Sequence, residues 1–132
     1  MLFRSAFDLG SLYEHGVGPV GKYALAPDEK RAWFWYQKAA DAGEPSALAR
    51  FGERDDGVAF SLAEPVQRKS VWLSSFKYYA AAAERARIED WPDDAWRSWR
   101  YRRASLARLL AREGMQQAVA GAYERAQAQP LR

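Results

Sequence analysis

Two glycine-punctuated segments constrain this chain more than any other feature. Leu9-Gly10-Ser11-Leu12-Tyr13-Glu14-His15-Gly16-Val17-Gly18 reads as the end of a helix followed by a glycine turn. Asp28-Glu29-Lys30-Arg31-Ala32-Trp33-Phe34-Trp35-Tyr36-Gln37-Lys38-Ala39-Ala40-Asp41-Ala42-Gly43 reads as a second helix with a glycine stop. One such hairpin cannot bury its apolar face alone, so it calls for stacked neighbours. Within the second segment Ala32, Trp35, Tyr36, Ala39 and Ala40 recur at i, i+3, i+4, i+7 and i+8, the stripe of an amphipathic helix. Asp28 follows Pro27 where a helix cap or first-turn acid belongs. Gly43 suits the left-handed residue that ends a helix. Glu44-Pro45 then restarts one, because proline is accommodated in a first turn.

The unit recurs in weakened form. Leu9-Gly10 returns as Phe51-Gly52, an offset of 42, and Tyr36 returns as Tyr79, an offset of 43. Arg54 and Asp55 replace the earlier Leu12 and Tyr13, and Tyr78-Tyr79 is followed by Ala80 to Ala83. A third copy is fainter still: Leu106-Ala107-Arg108-Leu109-Leu110, with Gly114 as a turn, mirrors Leu9 to Tyr13, and Tyr123-Glu124-Arg125-Ala126 mirrors Tyr36 to Ala39. The motif LG-x-LY-x-x-G-x-G followed by D-x-x-KA-x-x-WY-x-KAA-x-x-G resembles the Sel-1-like repeat, a relative of the tetratricopeptide repeat. The match is close over residues 5–43 and by pattern only beyond them. It departs from the family at residues 20–27, which lengthen the loop. The small Gly10, Ala39, Ala40 and Gly52 would let paired helices approach closely, while Leu12, Trp35 and Tyr36 fill the space between pairs.

The resemblance implies an all-α fold, a right-handed α-solenoid of about three helical hairpins, as a single domain over residues 1–132. The hairpins fall at about 3–43, 45–90 and 93–128. The sequence predicts six helices, at about 3–15, 28–42, 45–63, 68–90, 93–113 and 115–128. Pro65 separates the third from the fourth, and Asp93 is the expected cap of the fifth. Composition agrees: 25 Ala stand against six Val, one Ile and no Thr, and strands need the β-branched residues that are scarce here.

The chemistry that the chain can carry is narrow. It has no Cys, hence no disulfide, thiolate or Cys-ligated metal. No apolar run is long enough to span a membrane, and the first residues lack the basic and apolar regions of a signal peptide, so a cytoplasmic protein is expected. The one His, His15, has no obvious acid-base partner. Gly16-Val17-Gly18 lacks the Gly-Lys-Ser/Thr of a phosphate loop and does not follow a strand. No Gly-x-Ser-x-Gly elbow occurs. The carboxylate pairs Asp28-Glu29, Asp55-Asp56, Glu89-Asp90 and Asp93-Asp94 read as helix-end acids in solvent. No catalytic residue, metal or cofactor is expected.

Charge is uneven. Residues 1–65 hold 7 Lys/Arg against 10 Asp/Glu, and residues 66–132 hold 13 against 7. Between Trp91 and Arg112 lie Trp96, Trp99 and Tyr101 among Arg97, Arg100, Arg102, Arg103 and Arg108. Aromatic-arginine interleaving is how single-stranded nucleic acid is gripped. At about 100° per residue, however, Trp96, Trp99, Leu106, Ala107 and Leu110 share one face, as core residues do, and Arg97, Arg108 and Arg112 fall opposite. Arg103 falls inside the apolar arc and should therefore meet a carboxylate, from a neighbouring helix or from a partner protein.

Proteins similar to Sel-1-like repeats are usually adaptors that hold a partner on an inner face. In bacteria the resemblance extends to secretion, envelope signalling and immunity to a delivered toxin. A non-catalytic adaptor for another protein is the leading reading, an immunity protein that plugs an effector is the alternative, and nucleic-acid binding through the basic half is the weaker third. The candidate contact residues are Tyr13, Trp33, Arg97, Arg100 and Arg103, with residues 20–27 as a second surface. Trp33 is chosen because the helical stripe leaves it free, and Trp and Arg are favoured at hot spots. Phe3 and Phe7, on a first helix with no evident cap, suggest a homodimer that covers an end.

Overall fold

The computed structural model describes residues 5–16 and 26–128. The predicted contacts of residues 20–25 and of Phe3 lie outside them. Among the described residues there are six helices and no strand: α1 (Ala6–His15), α2 (Glu29–Asp41), α3 (Pro45–Ser61), α4 (Pro65–Ile88), α5 (Asp93–Arg112) and α6 (Gln116–Ala128). The chain is all-α, as its composition requires.

Local chemistry sets most of the ends. Ser5 opens α1, its hydroxyl accepting the Asp8 amide at 3.2 Å, which corrects the expectation of an uncapped first helix. Asp28 does the same for α2, accepting the Arg31 amide at 3.1 Å. Gly43 and Gly114 take positive φ of 82° and 79°, the left-handed conformation that stops α2 and α5 at little steric cost. Pro65 does mark the break between α3 and α4, but from inside the second of them. It stands in the first turn of α4, where its missing amide would have had no partner, so α4 begins earlier than expected. Asp93 is likewise no cap: Pro92 holds that position, and Asp93 and Asp94 lie in the first turn of α5.

Packing runs in pairs. α1 and α2 are antiparallel, their ends tied by the Asp28 amide donating to the Tyr13 carbonyl at 2.7 Å. α3 and α4 pair along most of their length, whereas α5 and α6 each meet α4 more extensively than they meet one another. α4 is therefore central, and its Phe76, Tyr79, Ala80, Ala82, Ala83 and Ala86 are all buried. The alanine run keeps that helix thin enough for α3, α5 and α6 to close around it. Phe76, Leu106 and Leu110 anchor the larger core cluster. Trp96 packs on Ala83 and Ala86, at a bend in α5 where its own φ and ψ are −130° and 15°. Glu84 is buried and is held by Arg87, whose Nη2 donates at 2.5 Å, as a charge removed from water requires.

Candidate protein-binding surface

The five candidate residues do not gather at one place. Tyr13, half-buried on the last turn of α1, packs on the cluster of Ala32, Tyr36 and Phe51, with the Arg31 guanidinium 5.7 Å from its ring. Trp33 belongs to the same cluster: its ring lies 5.3 Å from Tyr36 and 5.1 Å from Phe51. That corrects the reading of Trp33 as a free aromatic. The roles of Trp33 and Trp35 are exchanged, since Trp35 packs edge-on against exposed Phe34 at 5.3 Å and not in the core. The reason is geometric. α2 lies against both α1 and α3, so its apolar arc is wider than a single stripe and extends on the Trp33 side. Phe7 is also committed inward, 5.4 Å from Tyr36, which removes it as an exposed reason for dimerisation.

The arginines lie on α5. Arg97 is exposed, and Arg100 lies over Trp96 at 4.3 Å. Arg103 is half-buried, 5.2 Å from the Tyr123 ring, and no carboxylate of the described residues pairs with it. The intramolecular ion pair falls instead on its neighbour, with Arg102 Nε 2.6 Å from Asp56 Oδ2. α5 and α6 splay apart, so the arc carrying Arg103 opens into a groove of about 660 Å³ lined by Phe76, Ala107, Val119 and Tyr123. Arg102, on the flank of that arc, reaches α3.

A repeated polar clasp joins the hairpins, and the sequence pattern did not reveal it. The Tyr36 hydroxyl donates to Glu14 at 2.7 Å. Arg50 of α3 also donates to Glu14 through Nε at 3.3 Å and through Nη2, and binds Glu53 at 2.7 Å. Burial pushes the Glu14 carboxyl up, but the bonds from Arg50 and Tyr36 outweigh it and hold the group below its ordinary value. Burial and then Glu14 push Tyr36 up to about 12. The counterpart of Glu14, at the repeat offset of 42, is Asp56. Ser75 Oγ lies 2.8 Å from it and Arg102 supplies the cation. Burial, then the charges of Asp56 and Glu53, raise the Tyr79 hydroxyl likewise. Asp55-Asp56 is thus no solvated helix end: α3 continues to Ser61, and Asp55 accepts from Ser74 at 2.6 Å. The signal available beforehand was an acid four residues past each motif glycine, Glu14 after Gly10 and Asp56 after Gly52.

A second groove, of about 410 Å³, is shared by α3, α4 and α6 and lined by Leu48, Lys77, Tyr78, Ala81, Ala122 and Arg125 among others. His15, exposed, pairs its Nδ1 with the Ser11 carbonyl at 3.0 Å. Among the described residues, no helix is long and apolar enough to cross a membrane.

Comparison with known proteins gives one partial likeness to report. The chitin synthase regulator SKT5 of Saccharomyces cerevisiae is 30% identical over 77 residues, which is 58% of this chain and 10% of that protein. The chain thus spans about a tenth of the length of this curated relative. No family model matches, and no solved structure matches.

Proposed function

We propose that the chain is a non-catalytic protein-binding adaptor built from Sel-1-like helical hairpins. The observation that carries this reading is the shared register of the first two hairpins. Gly10 faces Tyr36 and Gly52 faces Tyr79 at the same close approach, and each tyrosine sits beside an acid clasped by an arginine of a later helix. Such stacked units spend their repeat-register residues on one another and leave grooves and outer helix faces for a partner. The partial likeness to a protein named as a regulator is in keeping with a binding role.

The test is affinity capture of the tagged chain from its native lysate, with and without nuclease, read by mass spectrometry. A stoichiometric protein partner that survives nuclease supports the adaptor. Recovery of polynucleotide-associated proteins alone, all lost on nuclease treatment, overturns it.

A further inference from the structure

We propose that the groove between α3, α4 and α6 docks an acidic, partly apolar peptide segment of another protein. This rests on the protein-binding reading and names the partner's chemistry. The floor is apolar, made by Leu48, Tyr78, Ala81 and Ala122. The walls carry two exposed cations, Lys77 on α4 and Arg125 on α6, and no Asp or Glu lines the groove.

Two cations in an apolar groove with no acid in its lining are what select the partner. Some cations elsewhere are matched, Arg50 by Glu14, Lys69 by Glu113, Arg87 by Glu84 and Arg102 by Asp56. Others on α5, such as Arg97 and Arg103, are not matched among the described residues, and no apolar trough joins those two. Lys77 and Arg125 have no ion pair or hydrogen bond with any described residue. Arg125 folds back along its own helix, and a Cβ at Gly121 would stand 3.3 Å from its Nη1. Glycine at 121 thus leaves the guanidinium its place. Two cations on different helices of an apolar trough suit a ligand that supplies carboxylates beside an apolar side chain. The rim charges steer and orient such a ligand, and the apolar contact holds it. The basic half of the chain, with 13 Lys/Arg against 7 Asp/Glu over residues 66–132, attracts the same partner over longer range. A volume of about 410 Å³ admits a short segment rather than a folded surface.

Nucleic acid is the less suited occupant. Tyr78 is the one aromatic lining the groove, and its ring already stacks on Phe51, centroids 5.3 Å apart and planes at 23°. It offers part of the apolar lining, not a free stacking platform of the kind that grips bases.

The experiment is to pan a phage-displayed random peptide library on the full chain, and on the double variant Lys77→Glu/Arg125→Glu checked for unchanged helical circular dichroism. The expected result is a consensus that combines Asp or Glu with a large apolar residue. Its synthetic peptide should bind in a salt-sensitive way and lose roughly tenfold or more in affinity on the charge-reversed chain, where like charges then face each other. A consensus without acids, or an acidic peptide that binds both chains equally, overturns the groove while leaving the protein-binding reading intact. No consensus, with a partner still captured from lysate, does the same. No consensus and no captured partner overturns both. A labelled oligonucleotide whose binding is lost in the double variant, while no peptide is selected, assigns the groove to nucleic acid and overturns the proposal.

Discussion

A Cβ added to Gly10 would stand 2.6 Å from Cδ1 of Tyr36 and 3.1 Å from the Ala32 carbonyl oxygen. α1 and α2 therefore meet there as backbone against ring, with no room for a methyl group. Gly52 repeats the arrangement, 2.9 Å from Tyr79 Cε2.

Alanine at either position should destabilise the chain by ~1–3 kcal/mol through overpacking, although alanine is the better helix former by ~0.5–1 kcal/mol. Gly57, also inside α3, has nothing within 4 Å of its added Cβ. Gly57→Ala should therefore stabilise by ~0.5–1 kcal/mol. Urea unfolding of the three variants, followed by circular dichroism, checks this. Equal stabilities for Gly10→Ala and Gly57→Ala would remove the close approach as an explanation for glycine.

The glycine-tyrosine register was legible because it is local and periodic: the offsets of 42 and 43 place Gly52 and Tyr79 correctly before any contact is seen. Gly43, Gly114 and the Asp28 cap were legible for the same reason, each being set by a few neighbouring residues. The starts of α4 and α5 differ from expectation by a few residues at Pro65 and Asp93, because a proline can end one helix or open the next, and the sequence around it serves both. The packing of Trp33, and the lack of a carboxylate for Arg103 among the described residues, are illegible for a different reason. A helical wheel gives the direction of a side chain but not how many neighbours surround the helix. α2 has one on each side, and α5 has α4 on one flank and an open groove beyond. The Arg102–Asp56 pair joins residues 46 apart on different helices, a relation that no local pattern contains.

The clasp predicts a pH dependence with a definite sign. The Glu14 carboxyl is held below its ordinary value of 4.5. A group with a depressed folded pKa stabilises above its unfolded pKa, and that stabilisation is lost as pH falls through the folded value. Glu14→Gln should thus cost ~1–3 kcal/mol near neutral pH and flatten the decline of stability below pH 4.5. Glu44 is the opposite case. Burial first, then the charges of Glu89 and Asp8, raise its carboxyl above 4.5, so its contribution is present below that pH and lost as pH rises. Glu44→Gln should leave the chain as stable or more stable at neutral pH. Thermal melts of both variants across the acid range distinguish them, and the same acid slope in Glu14→Gln as in the parent would refute the clasp.

Adjacent arginines should behave differently. Arg102→Ala removes the cation of Asp56, 2.6 Å away, and should cost ~1–2 kcal/mol, a charged hydrogen bond discounted for its partial exposure. Arg103→Ala removes a contact over Tyr123 and should cost only ~0.5 kcal/mol. Double-mutant cycles with Asp56→Asn make the test sharper, because only the Arg102 cycle should show coupling. Coupling in the Arg103 cycle of equal size would mean that the ion pair is shared between them.

Trp33 and Phe34 give the plainest separation between packing and binding. Trp33 fills the space between Tyr36 and Phe51, with the Arg54 guanidinium 4.8 Å over its ring. Phe34 is 55% exposed and touches Trp35 and Lys38. Truncating Trp33 opens a gap between α2 and α3 that the surrounding rings can only partly close, so Trp33→Ala should cost ~2–4 kcal/mol. Phe34→Ala leaves no gap and should change stability by ~0.5 kcal/mol or less. If a partner contacts this face, its affinity should fall with Phe34→Ala at unchanged stability. With Trp33→Ala the affinity should fall only in parallel with folding. Denaturant midpoints and partner binding measured on the same two preparations decide the matter. A Trp33→Ala chain as stable as the parent but unable to bind would return Trp33 to the binding surface from which its packing removes it.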